Sequence, residues 1–208
     1  VVFPHRNPYA RLLEEQLDAS GICFSGESAR TVAHSMLGRF IMSLLALPDK
    51  NLRVNEVLDF LASAPIRQFP DSSTITPAIS WSRNALTAGV NTGLGDWSEK
   101  LGRHRQQLLA TANRERLRTG DDRWVRRYER GAQEAEEILA FVTELDQIVH
   151  PDNLPSDWVG FCSWLRNAVE RYLGPGAELE TSKSDLATIE TVLDQLRSLA
   201  RVERDTSF

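Results

Sequence analysis

The sequence predicts a mainly α-helical protein: a multi-helix domain preceded by a small strand-helix-strand fragment. Three observations lead there. From Ser28 onward apolar residues recur at intervals of three and four, the helical period. Short continuous apolar runs of strand character occur only near the N-terminus, at Val1-Val2-Phe3 and Ile22-Cys23-Phe24. Prolines and glycines then cut the helical pattern into segments of ordinary length. These features divide the chain into an α/β fragment at 1–26 and a helical unit at 27–208.

Val1-Val2-Phe3 reads as a strand. Asn7-Pro8 starts the first helix, with Asn as N-cap and Pro at the first helical position. Leu12, Leu13 and Leu17 form its apolar face, Gly21 ends it, and Ile22-Cys23-Phe24 reads as the second strand. The pattern from Ser28 places Val32, Met36, Leu37, Phe40, Ile41, Leu44 and Leu45 on one broad face, stopped by Pro48. Val54 to Ala64 forms a shorter helix with Val57, Leu58 and Leu61 inward. Residues 65–78 contain three prolines and a polar run, and read as a loop. Ile79 to Ala88 follows as a short helix, and "GVNTGLGDW" at 89–97 as a glycine-rich turn. Further helices are expected at about 96–117, 123–149, 156–173 and 184–204. The longest carries a stripe of Trp124, Tyr128, Ala135, Ile138, Val142, Leu145 and Val149. The last repeats the pattern with Leu186, Ile189, Leu193, Leu196 and Ala200. Stripes of this kind pack helix on helix, and short connections imply antiparallel neighbours.

Composition narrows the chemistry. The net charge of −5 excludes a globally basic nucleic-acid binder, although a local basic patch is compatible with it. No signal peptide and no apolar run of about 20 residues is visible, so the expectation is a soluble, cytoplasmic protein without membrane contact. Cys23 and Cys162 lie within apolar runs and outside any CxxC pair, as buried free thiols do. The phosphate loop G-x-x-x-x-G-K-[ST], the nucleophile elbow G-x-S-x-G and the zinc helix H-E-x-x-H are all absent. Glu14-Glu15 and Glu136-Glu137 are adjacent pairs, which diverge on a helix. No catalytic residues and no metal ligands are therefore assigned, and no cofactor is expected within this segment.

One local feature stands apart. Residues 103–130 carry nine arginines against four acids, a net of +5, which leaves −10 on the rest of the chain. Arg123, Arg126, Arg127 and Arg130 follow i, i+3, i+4, i+7 spacing and share one helix face, with Trp124 and Tyr128 expected on another. Together with Arg103 and Arg105 they are the candidate DNA-binding residues, since such a stripe neutralises phosphates. The competing reading is a solvated face held by i,i+4 pairs such as Arg130–Glu134. Spacing alone favours that second reading.

The opening residues "VVFPHRNPYARLLEEQLDASGICFSG" resemble the start of the second motor domain of UvrD/Rep/RecB-type superfamily 1 DNA helicases. Leu13-Glu14-Glu15-Gln16-Leu17 and Gly21-Ile22-Cys23-Phe24 carry the resemblance, with Cys23 where the family usually has Pro. "RTVAHSMLGRFIMSLLALPDKNLRVNEVLDFLASAPIR" resembles the first helices of the family's 2B insertion, especially in RecB-like and AddB-like helicase–nucleases. The resemblance implies that 1–26 is an edge of the motor (2A-like) and 27–208 a helical 2B-like insertion whose return strand lies beyond residue 208. It also implies that Arg6 or His5 is the counterpart of an arginine near the nucleotide. ATP, Mg and any nuclease chemistry would then belong to other parts of the parent protein, so this segment alone neither hydrolyses ATP nor cuts DNA. The implied partners are duplex DNA, bound without sequence preference, the remaining helicase domains, and a second subunit in the helicase–nucleases. The implied setting is recombination and repair. The alternative from another class is a helical scaffold that binds a protein partner and has no DNA role.

Overall fold

The computed structural model of the protein describes residues 13, 16–17, 19–22, 35–67, 75–118, 122–174, 190–195 and 198. Over these residues it is mostly helical and contains no strand. Ser35 caps α1 (Met36–Ala46), its hydroxyl accepting from the Gly38 N–H at 2.9 Å, and Pro48 ends the helix in a short 3₁₀ turn. α2 (Val54–Ser63) and α3 (Ala78–Ala88) flank the proline-rich stretch. α4 (Leu94–Arg118) and α5 (Asp122–Val149) are the long pair, and a 3₁₀ turn at Pro151–Asn153 separates them from α6 (Trp158–Leu173). Asp157 caps α6 by accepting the Gly160 N–H at 2.7 Å. Most of these elements lie close to the sequence expectations, several bounded by a capping side chain, a proline or a glycine. The face expected from Ser28 instead has its N-cap at Ser35, whose extended backbone starts the helix there, and residues 28–34 lie outside the described residues.

The core lies between α1, α2, α3, α6 and the C-terminal half of α5. A chain of ring contacts threads it. Phe40 meets Phe60 at 5.4 Å between centroids, Phe60 meets Tyr172 at 5.6 Å, Tyr172 meets Phe141 at 5.8 Å, and Phe141 meets Trp81 at 5.4 Å. Most of these pairs are tilted or edge-on, the arrangement that ring quadrupoles favour. Cys162 is a free, buried thiol against this core, as expected for an apolar environment. Residues 190–195 and 198 are helical, and Leu193 inserts into the same core.

Two turns fix how the helices meet. Asn51 and Leu52 both adopt left-handed backbone, at φ 47° and 50°, and the segment 89–97 closes over them. The Asn51 carbonyl accepts from the Gly93 N–H at 2.8 Å and the Thr92 hydroxyl at 2.9 Å, while Trp97 Nε1 donates to the Leu52 carbonyl at 2.8 Å. Asp96 collects the Asn91 N–H at 2.6 Å and pairs with Lys100 at 2.9 Å; Lys100 and the Asn91 N–H hold its carboxyl below the usual range. Residues 89–93 are thus a structural turn, while Leu94 to Trp97, expected in the turn, already form the first turn of α4. The second lock is at Arg67, whose N–H donates to the Tyr172 carbonyl at 2.7 Å and whose Nε donates to the Leu173 carbonyl at 3.1 Å. These bonds satisfy carbonyls at the end of α6 that have no partner within the helix.

Several expectations need correction or fall elsewhere. Leu13, Gln16, Leu17 and Ala19 are helical, and the Ile22 N–H on the Leu17 carbonyl at 2.9 Å, with Gly21 at φ 64°, closes that turn as predicted. Ile22 itself is in no strand and is exposed. The first predicted strand, His5, Arg6 and Cys23 lie outside the described residues. On α5 the predicted apolar stripe holds from Ala135 to Val149 but shifts at its start. Val125 and Ala132 are buried there, Tyr128 is half-buried, and Trp124 is 45% exposed. The physical reason is that this end of α5 lies outside the main core cluster, so its inward face is narrow and suits small side chains.

Candidate nucleic-acid interface

α4 and α5 form an antiparallel pair with only residues 119–121 between them. Their contacts run in opposite directions: Arg116 Nη2 meets Glu129 at 2.5 Å, and further along Arg105 Nη2 meets Glu136 at 3.2 Å. The helices span 25 and 28 residues, about 37 and 42 Å at 1.5 Å per residue. Trp97, Leu101 and the stretch from Ala135 onward belong to the core. Ala112, Val125 and Ala132 are buried but stand outside that cluster, so the distal part of the pair is sealed mainly by small side chains. At Gly131 the helices approach closely, since a methyl group there would sit 3.3 Å from Leu108 Cδ1.

The arginine-rich segment is this distal part. Among the predicted site residues, Arg103 is paired with Glu99 at 2.5 Å and Arg105 with Glu136, so these two are held by carboxylates. Arg116 and Arg118 are also paired, with Glu129 and Glu115. Arg123 is exposed and engaged by neighbouring groups. Arg126, Arg127 and Arg130 are exposed on one face of α5, and no ion pair joins them to a carboxylate among the described residues. The expected Arg130–Glu134 pair does not form. Glu134 Oε2 instead accepts from Asn84 Nδ2 of α3 at 2.8 Å. A helix from another part of the chain has taken the carboxylate that the local i,i+4 rule assigned to Arg130.

Trp124 does not point away from the arginines. The Arg127 guanidinium lies over its ring, 5.3 Å from the centroid, a cation–π contact that holds the side chain at the surface. Leu117, at 89% exposed, stands near the same end of the pair. Between α3, α4 and α5 runs a cleft of about 360 Å³, and Arg83 of α3 lines it together with Arg127 and Arg130. Arg83 was not among the sequence candidates, because it lies 40 residues before Arg123 in an unremarkable helix. His104 of α4 also lines the cleft, and its burial pushes its pKa below the ordinary histidine value.

Among the described residues no three His, Cys, Asp or Glu side chains come together to hold a metal ion. None of the described helices is long and apolar enough to cross a membrane. No family model, curated protein or solved structure matches the chain.

Proposed function

We propose that this chain is a non-catalytic module that lays the arginine face of α5 along the phosphate backbone of duplex DNA. The observation that supports this is that Arg126, Arg127 and Arg130 make no ion pair among the described residues, on a chain with 29 acidic residues. In so acidic a protein an exposed arginine readily acquires a carboxylate, as Arg103, Arg105, Arg116 and Arg118 have done. Arginines outside ion pairs keep their guanidinium forks for phosphate oxygens. The resemblance of the N-terminal residues to superfamily 1 helicases supplies the setting. The module would be a 2B-like insertion that grips duplex DNA for a motor whose ATP and Mg sites lie elsewhere in the parent protein, in recombination or repair.

A fluorescence titration of labelled duplex at several salt concentrations tests this. Three or four neutralised phosphates give a slope of log affinity against log salt near −3, at about −0.9 per phosphate. Arg126→Ala with Arg127→Ala flattens it by roughly one to two units without sequence preference. Arg103→Ala, already paired with Glu99 in the parent, is the control and changes the slope less. A double variant that binds like the parent refutes the proposal. The second reading, a scaffold that docks a protein partner, then takes precedence; exposed Leu117 and Trp124 favour it.

A further inference from the structure

The cleft between α3, α4 and α5 has an unbalanced charge. Arg83, Arg127 and Arg130 converge on it from two helices, and none of the three is ion-paired with a carboxylate among the described residues. Its one acidic side chain, Glu134, accepts from the Asn84 amide at 2.8 Å and offsets only one of the three positive charges. Three arginines lining one concavity give it a net positive charge that favours an anion, and guanidinium forks match phosphate geometry. The cleft's volume of about 360 Å³ falls at the small end of ligand sites, roughly 300–1,000 Å³. Its wall is partly aromatic, through Tyr128, beside which a base or sugar ring packs. We infer that this cleft is a phosphomonoester site, taking a doubly charged terminal phosphate attached to a nucleoside. That group arrives either as a free mononucleotide or as the 5′ end of a nucleic-acid strand.

The site shares Arg127 and Arg130 with the proposed duplex-binding face, whereas Arg83 and His104 belong to the cleft alone and Arg126 to the face alone. Calorimetric titration of the full chain at low salt with thymidine 5′-monophosphate, inorganic phosphate and thymidine separates the contributions. The phosphate-bearing ligands bind and thymidine does not, because the arginines recognise charge. Arg83→Gln weakens the nucleotide by about tenfold or more, the usual effect of losing one charge-assisted hydrogen bond. Arg126→Ala leaves nucleotide affinity unchanged, and Arg83→Gln leaves the salt slope for unphosphorylated duplex unchanged, so the two sites fail independently. A gain in affinity for 5′-phosphorylated over dephosphorylated duplex, abolished by Arg83→Gln, identifies the strand end as the source. Binding of the nucleotide without that gain identifies the free nucleotide. No binding of either phosphate-bearing form, or full affinity in Arg83→Gln, overturns the inference.

Discussion

Replacing Gly174 by alanine should be among the most damaging single-methyl additions in this protein. Gly174 sits at φ 88° and ψ 174°, a region of backbone space used almost only by glycine, where other residues cost about 1–3 kcal/mol. The added methyl would also lie 2.7 Å from both Cζ and Nε of Arg67. Arg67 would have to leave its seat on the Leu173 carbonyl, which forfeits a hydrogen bond of about 1 kcal/mol. The two effects together predict a loss of about 2–4 kcal/mol. At about 2–4 °C per kcal/mol for a chain of this size, the melting temperature falls by about 4–16 °C. Gly89→Ala is the control, since Gly89 also has positive φ, at 74°, but no atom within 4 Å of the position of a new methyl. It should cost about 1 kcal/mol, the backbone penalty alone. Urea unfolding of both variants, with and without Arg67→Ala, measures the difference. Equal losses for Gly174→Ala and Gly89→Ala would refute the claim that Arg67 is seated against Gly174.

Two further predictions follow from the same core. Trp97→Phe removes the indole donor from the Leu52 carbonyl and shrinks a fully buried side chain; a loss of about 2–4 kcal/mol is expected in urea unfolding, and a loss under about 1 kcal/mol would show that the bond contributes little. Tyr172→Phe removes a hydroxyl that is buried without a hydrogen-bond partner among the described residues, and burial already pushes that phenol's pKa up. Thermal melting should therefore show stability unchanged or raised by up to about 1 kcal/mol, and a loss above about 1 kcal/mol would mean that the hydroxyl is bonded.

The helix boundaries, the mainly α class and the core stripe from Ala135 to Val149 were legible in the sequence, because each depends on residues within a few positions of one another. Pro48, Gly89 and the helical period act locally, and no distant part of the chain has to be known to read them. The same holds for the arginine stripe as a stripe: 123, 126, 127 and 130 share a face by helical geometry alone. The state of each arginine was decided elsewhere. Glu136 and Glu129 reach Arg105 and Arg116 only because α4 and α5 run antiparallel, and Glu134 bonds Asn84 of α3 rather than Arg130. Trp124 belongs to the surface for a similar reason, since the start of α5 lies outside the main core cluster. Arg83 joins Arg127 and Arg130 across more than 40 residues of chain, which no spacing rule records. Local sequence thus determined which residues form helices and, outside the start of α5, most of the faces they turn inward. The packing of those helices determined which charges meet a partner and which remain open to a ligand, because ion pairing depends on distances between segments that only the folded chain brings together.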